Sequence, residues 1–275
     1  MKLLFRILIY FLFWTSVTFS LNCNSEERIS ANNRDYAKKE IEKLIKKQKE
    51  IDFLSIRNYR DTVFPNDFIL RFENLNEILI WGAGWYQQPL HIDTTKLSRL
   101  KKLKTLQIIE FGLDSFPTSL YQNDSLTSLV LGWCNLKSIP SGISKFNSLV
   151  FLDLWGNDLT ALPESLKDIP NLQTLRLNNN LFERIPKVLK DLANVKTIIL
   201  NNREGDESSG LNENKIDYKS ETFLLTDILK KESVKVVAIE IKDCESKKTI
   251  KKSIGDKQLL KKIEFPFGVC NPLFW

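Results

Sequence analysis

The stretch LTSLVLGWCNLKSIP at residues 126–140 returns in outline as LVFLDLWGNDLTALP at 149–163 and as LQTLRLNNNLFERIP at 172–186. Each copy has leucine at places 1, 4 and 6 and proline at place 15, and successive copies start 23 residues apart. A constant period of about 20 to 50 residues indicates an array of similar structural units that share one continuous core. This array decides the fold.

The same phase extends outward from these three copies. Prolines 65, 89 and 117 occupy place 15 of earlier units, and the unit that contains Pro89 is five residues longer than the central units. Place 1 is apolar in seven successive units, which open at Ile51, Leu75, Leu103, Leu126, Leu149, Leu172 and Val195. The pattern resembles the 23-residue class of leucine-rich repeat, and the resemblance covers residues 51–203.

The resemblance implies an α/β fold, namely a leucine-rich repeat solenoid, or horseshoe, with a parallel sheet on its concave face. One unit cannot bury its leucines alone, so both ends of the array need a cap. Residues 35–50 predict a helical N-terminal cap, because Ile41, Leu44 and Ile45 recur at helical spacing among lysines. A basic helix lying on a membrane is the alternative for this segment.

Residues 204–275 predict an irregular C-terminal cap. Within them, Val234, Val237 and Ile239 repeat the 1-4-6 spacing, which suggests an eighth, irregular strand. The segment SKKTIKKSIGDKQLLKK at residues 246–262 is rich in lysine. We interpret it first as a solvated face, and contact with an anionic lipid or polysaccharide is the alternative.

The first 22 residues predict an export signal. Positive residues in MKLLFR precede the apolar run ILIYFLFWTSVTFSL, whose 15 residues are fewer than the about 20 that span a membrane. The following SLNC resembles the lipobox of bacterial lipoproteins, which implies lipid attachment at Cys23 and a polar tether over residues 23–34. We therefore expect a protein anchored in the bacterial envelope, at the outer membrane or cell surface. Secretion after simple cleavage and an uncleaved anchor are the alternatives.

The other three cysteines have structural interpretations. Place 9 of the family pattern takes Asn or Cys, and Cys134, Asn157 and Asn180 comply, so Cys134 is expected in the core. Tyr59, Ala83, Phe111 and Arg203 depart from the pattern at that place, which predicts a regular turn only in the middle of the array. Cys244 and Cys270 remain in an exported chain, where they predict a disulfide.

Residues for catalysis are scarce, so no enzyme, metal or cofactor is expected. His91 is the only histidine, which argues against multi-histidine metal sites and Ser-His-Asp catalysis. Repeat effectors with a ubiquitin-ligase domain need more chain than follows residue 203. The net charge of +6 is too small by itself to imply a nucleic-acid partner.

The candidate site lies on the face of the sheet that is opposite the leucine core. Side chains alternate along a strand, so places 3, 5 and 7 face the inner curve and place 8 lies at its rim. We predict that the following residues contact a partner: Phe53, Leu79, Trp81, Ile109, Val130, Trp133, Phe151, Asp153, Trp155 and Arg176. Apolar surface of this extent usually marks a contact site. Packing of the cluster on itself, with Trp133 and Trp155 each beside a glycine, and contact with the chain's own tail are the alternatives.

These features predict a protein without chemistry of its own that binds a protein or peptide on its concave face. The alternative is a structural role in the envelope, or binding of glycan or another anionic surface through the lysine-rich C-terminal cap.

Overall fold

The computed structural model divides the chain into two compact units, Met1–Asn135 and Leu136–Trp275. It describes residues 6–10, 17–22, 26–31, 46, 49–59, 69–82, 94–113, 115–201, 213–239 and 244–265. Of the predicted N-terminal capping helix, only the helical Lys46 and the turn at residues 49 and 50 lie within these ranges.

The first unit contains a sheet whose strand order is β3-β2-β1-β4-β5-β6-β7. The strands are β1 (Arg6–Tyr10), β2 (Val17–Asn22), β3 (Glu26–Ala31), β4 (Phe53–Tyr59), β5 (Glu77–Gly82), β6 (Thr105–Ile109) and β7 (Ser128–Gly132). Strands β4 to β7 are parallel and come from successive repeats, and β1 pairs with β4 in the same direction. Strands β2 and β3 are antiparallel to their neighbours.

The register of the repeat strands follows the sequence period. Ile78, Leu106 and Leu129, all at place 4, lie opposite one another on β5, β6 and β7, and all three are fully buried. A parallel sheet built from such units therefore buries one continuous row of leucine or isoleucine for each apolar place.

The second unit contains five parallel strands in the order β12-β11-β10-β9-β8. They are β8 (Phe151–Asp153), β9 (Thr174–Arg176), β10 (Thr197–Ile199), β11 (Val236–Ala238) and β12 (Ile263–Glu264). Val237 of β11 lies opposite Ile198 of β10, so the segment for which the sequence suggests an eighth strand forms one. Strand β12 adds a further parallel strand that the sequence pattern does not indicate.

Short 3₁₀ helices form the return segments after the prolines. They are η1 (Thr118–Gln122), η2 (Ser141–Lys145), η3 (Glu164–Asp168) and η4 (Lys187–Asp191). Each starts directly after the proline at place 15, with Pro140 at φ −72° and Pro163 at φ −70°. Proline is favourable there, because its ring fixes φ near this value and it has no N–H that a helix start would leave unpaired. In the longer unit, the described helix is α1 (Thr94–Leu97).

The C-terminal cap contains α2 (Thr222–Lys230), α3 (Cys244–Ile254) and α4 (Lys257–Leu260). Helix α2 buries Leu225, Ile228 and Leu229 and packs against η4, α3 and α4. Helix α3 ends at Gly255, whose φ of +68° suits a residue without Cβ. Asp256 then accepts hydrogen bonds from the first turn of α4. Over the described residues, none of the helices combines the length and the apolar character needed to cross a membrane.

Candidate functional site

A ladder of asparagines holds the turns that follow the repeat strands in the second unit. Asn157 donates from Nδ2 to the carbonyl oxygens of Leu154 (2.9 Å) and Trp155 (3.2 Å), and its Oδ1 accepts the Leu136 N–H at 3.1 Å. Asn180 repeats this arrangement one unit later, because its Oδ1 accepts the Leu159 N–H at 3.1 Å. These buried amides satisfy backbone groups that no strand partner reaches. The turns therefore hold the side chains beside them in fixed positions.

Asn214 continues this ladder in place of Arg203. Its Nδ2 donates to the carbonyl oxygens of Leu177 (2.9 Å) and Leu200 (3.0 Å), and its Oδ1 accepts the Phe182 N–H at 3.1 Å. Sequence spacing assigns Arg203 to place 9 of the seventh unit and finds no suitable side chain there. The structure shows that Asn214, further along the chain, fills the position.

Cys134 occupies the equivalent position in the first unit and is fully buried. Its thiol lies 3.4 Å from the carbonyl oxygens of Ile108 and Gly132, to which it donates. Burial raises the pKa of the Cys134 thiol well above its ordinary value. The side chain thus belongs to the core and is not a nucleophile.

Place 8, at the start of each turn, has left-handed backbone in four successive repeats. The φ values are 66° at Glu110, 51° at Trp133, 69° at Gly156 and 53° at Asn179. Glycine and asparagine adopt this region readily, whereas bulky side chains seldom do. The glycine of the Trp-Gly pair at 155–156 is therefore explained by the turn itself, and Trp133 occupies an unfavourable backbone position.

The candidate residues of the first unit lie on adjacent strands. Trp81 is opposite Ile109, which in turn is opposite Gly132, and Gln107 separates Leu79 from Val130. Leu79, Ile109 and Val130 are between 7% and 8% exposed, whereas Phe53, Trp81 and Trp133 keep intermediate exposure. The aliphatic residues therefore form a packed layer on this second face of the sheet, and the aromatic rings remain partly open to solvent.

The candidate residues of the second unit centre on an ion pair. Asp153 on β8 lies opposite Arg176 on β9, and their side chains approach to 3.0 Å. The Asp153 carboxylate also accepts the Trp155 N–H at 3.2 Å. Burial raises the pKa of Asp153 to about 6, although Arg176 and this N–H lower it in part. Trp155 is 9% exposed, so its indole is more buried than its place on the strand face suggests. The exposure of Phe151 is intermediate.

Two buried polar atoms, one in this ion pair and one close to it in sequence, have no hydrogen-bond partner. They are Nε of Arg176 and Oδ1 of Asn178, and Asn178 as a whole is 4% exposed. An unpaired buried polar atom costs about 1–3 kcal/mol, so such atoms are rare in finished protein interiors. They sit on one strand and its extension, at places 5 and 7, on the same face as Asp153. Spacing alone could place Asn178 on this face but gave no sign that one of its atoms would be unpaired.

Other predicted sites lie outside the described residues. These are the lipid site Cys23, His91, Cys270 and the side chain of Cys244, so lipid attachment and the disulfide remain predictions. The predicted export signal and tether include the described strands β1, β2 and β3, and they also remain predictions. In the part of the chain that is described, no group of three His, Cys, Asp or Glu side chains is arranged to hold a metal ion.

Comparison with known proteins identifies the fold. No protein-family model and no curated protein sequence matches the chain. An internalin of Listeria monocytogenes superposes with a TM-score of 0.53 and 16% identity, covering 82% of this chain and 56% of the internalin. The chain therefore has the leucine-rich repeat fold. A leucine-rich repeat protein of Leptospira interrogans gives a TM-score of 0.46 at 22% identity, covering 73% and 53% of the two chains.

A plant peptide hormone receptor, RGFR1, determined in complex with RGF2, gives a TM-score of 0.43 at 18% identity. The match covers 66% of this chain and 31% of the receptor. The chain thus spans about half the length, or less, of the solved proteins it resembles.

Proposed function

We propose that this protein binds a protein or peptide through its strand face, defined as places 3, 5, 7 and 8 of the repeats. The proposed binding involves no covalent chemistry, because the sequence has a single histidine, His91, which does not fall at one of these places of the repeats. We further propose that the protein is exported and held at the bacterial envelope by lipid on Cys23. The N-terminal sequence supports that location.

The backbone of Trp133 carries the proposal. Left-handed backbone destabilises a folded protein by about 1 kcal/mol or more at a non-glycine residue. This energy is smaller in the next two repeats, because Gly156 and Asn179 occupy the same place there. Trp133 has the same left-handed backbone without the tolerance of glycine or asparagine, and its indole is partly exposed. Strained, bulky residues of this kind cluster at binding sites, where the side chain has a use that outweighs the backbone energy.

The remainder of the strand face fits a binding role. Trp81 adds a second partly exposed indole, and tryptophan is enriched among residues that dominate binding energy. In the second unit, the buried Asp153 with its partly exposed partner Arg176, and the unpaired Oδ1 of Asn178, supply polar groups that can fix the orientation of a peptide. The aromatic groups of the first unit and the polar groups of the second are both of kinds that recognise a peptide surface.

The test is selection of binders from a phage library of random dodecapeptides on the immobilised protein. Enriched peptides are then titrated against Trp81→Ala, Trp133→Asn and the matched control Phe223→Ala. Phe223 lies on α2, is 79% exposed and is not part of the strand face. Thermal unfolding of each variant is measured in parallel.

If the strand face binds peptides, both tryptophan variants weaken binding by about thirtyfold or more, and Phe223→Ala has no effect. Trp133→Asn changes stability by less than about 1 kcal/mol, because asparagine relieves the backbone and offsets part of the lost packing. Loss of stability in both tryptophan variants with unchanged peptide affinity would show that the cluster only packs on itself. An equal loss of peptide affinity in Phe223→Ala would show that the peptides do not bind on the strand face.

A further inference from the structure

Helix α3 presents four lysines on one side. At 3.6 residues per turn, Lys247, Lys248, Lys251 and Lys252 fall within a single arc of about 140° around the helix axis. The buried Ile250 lies about 130° from the centre of this arc, and the buried Ile254 lies next to Lys247 just beyond the edge of the arc. The helix is thus fixed to the second unit by its isoleucines, and its lysine arc faces outward.

The positive charge of this surface is not neutralised locally. Residues 244–265 contain seven lysines and three acidic residues. Lys248, Lys251 and Lys252 are exposed, and the ion pairs found among the described residues do not include them. The Asp256 carboxylate is occupied in capping α4. Lys257 and Lys261 on α4 are also exposed and add to the positive charge.

Helix stability explains only part of this arrangement. Lys251 and Lys252 lie in the last turn of α3, where cations stabilise the helix dipole. Lys248 lies a turn earlier and gains little from the dipole. Lys247 has a different role, because its Nζ lies 4.7 Å from the centre of the Phe265 ring. Helix stability therefore accounts for Lys251 and Lys252 but not for Lys248.

We infer that the lysine face of α3, defined as Lys248, Lys251 and Lys252, docks on the anionic surface of a lipid bilayer, with Lys257 and Lys261 of α4 adding to the positive charge. The ammonium group of lysine is a hydrated point charge that suits many dispersed phosphate groups at once. Sites for nucleic acid typically use arginine forks and aromatic platforms, and residues 244–260 contain no arginine, tryptophan, tyrosine or phenylalanine. The composition thus favours a charged surface over a specific polyanion.

The strength of this contact is modest. Each lysine near an anionic bilayer strengthens binding by about fivefold, so five lysines alone give weak and salt-sensitive association. Such a contact serves as a second attachment beside a lipid chain, which holds a protein stably only when another signal assists it. The inference is independent of the strand face, since no residue is shared between the two surfaces.

The experiment measures co-sedimentation of the full chain with vesicles of pure phosphatidylcholine and with vesicles that contain one-third phosphatidylglycerol. Any lipid chain or apolar segment contributes to both, so the ratio of the two affinities isolates the charge effect. The test variant replaces Lys248, Lys251 and Lys252 by glutamine. The control variant makes the same change at Lys145, Lys167 and Lys190, which are exposed lysines in the last turns of η2, η3 and η4.

The wild type and the control variant should prefer anionic vesicles by more than about tenfold in low salt. The α3 variant should lose most of that preference, as should the wild type in about 0.5 M salt. Glu245→Gln, which removes a negative charge beside the arc, should strengthen binding and keeps the test valid if the triple variant unfolds. The inference is overturned if the wild type shows no preference, if the control loses as much as the α3 variant, or if the protein binds heparin and not vesicles. Trp81→Ala should leave the vesicle preference unchanged in every case.

Discussion

Asp153 and Arg176 form an ion pair whose two members are in different environments. Their side chains are 3.0 Å apart, yet the Asp153 side chain is 3% exposed and that of Arg176 is 39% exposed. The guanidinium keeps part of its hydration, and the carboxylate loses almost all of its own. Desolvation therefore exceeds the attraction, which is why the pKa of Asp153 rises in spite of the nearby positive charge.

This difference predicts a pH dependence of stability. Folding raises the pKa of Asp153 from 3.8 to about 6, so the folded state holds the proton more tightly than the unfolded state. The stabilisation by that proton is complete below pH 3.8 and is lost as the pH rises through about 6. Between these limits the wild type should lose about 2 kcal/mol more than Asp153→Asn, measured by chemical denaturation at a series of pH values. The exposed Asp168→Asn is the charge control, and parallel curves for Asp153→Asn and wild type would contradict the prediction.

Asn214→Ala should destabilise the second unit by about 2–3 kcal/mol. The change leaves the buried Phe182 N–H and the carbonyl oxygens of Leu177 and Leu200 without their partner. Asn194→Ala is the matched control, because its Nδ2 donates to the Pro170 carbonyl (2.6 Å) at an exposed position and should cost less than about 1 kcal/mol. The free energy of unfolding in urea measures both changes. Equal losses in the two variants would show that Asn214 is not a ladder residue.

Gly82→Ala should destabilise the protein more than Gly255→Ala, which strains only the backbone. A Cβ at Gly82 would lie 2.6 Å from the backbone oxygen of Glu110, so one of the adjacent segments must move, at a cost of about 2 kcal/mol or more. At Gly255 a Cβ meets nothing nearer than 3.8 Å, but φ is +68°, which costs about 1 kcal/mol. Thermal unfolding of the two alanine variants gives the order, and a larger loss at Gly255 would refute the steric explanation.

Cys23→Ala tests the proposed anchor. If the cysteine carries lipid, the variant should move from the detergent phase to the aqueous phase in phase partitioning, and labelling with radioactive palmitate should disappear. Cys134→Ala serves as the control, because a buried thiol should contribute no label. Unchanged partitioning and labelling of Cys23→Ala would remove the lipid anchor from the proposed function.

The strand register could be predicted because it depends on counting alone. Stacked repeats place the same position of each unit side by side, and Trp81 and Ile109, both at place 7, form such a pair. The five extra residues after Pro89 do not disturb it. The leucine core follows from the same arithmetic, since places 4 and 6 alternate with the strand face and place 1 precedes the strand.

The fine structure of the turns and of the strand face could not be predicted in this way. Left-handed backbone at Trp133 has no signal in the tryptophan itself, although Gly156 and Asn179 at the same place suggest it in retrospect. The burial of Trp155 depends on how its neighbours close around it, which a pattern of single positions does not contain. Burial of Asp153 beside the partly exposed Arg176 depends on the same three-dimensional information.

The position of Asn214 has a consequence for how such a protein can vary. Eleven more residues separate Leu200 from Asn214 than separate Leu177 from Asn180, yet both asparagines bond to the backbone in the same manner. Constant spacing leads to Arg203, whereas the last asparagine of the ladder is Asn214. The same bonds thus form across a short interval and a long one, and an engineer could exchange the long interval for an epitope or a recognition loop while the asparagine on either side stays in place.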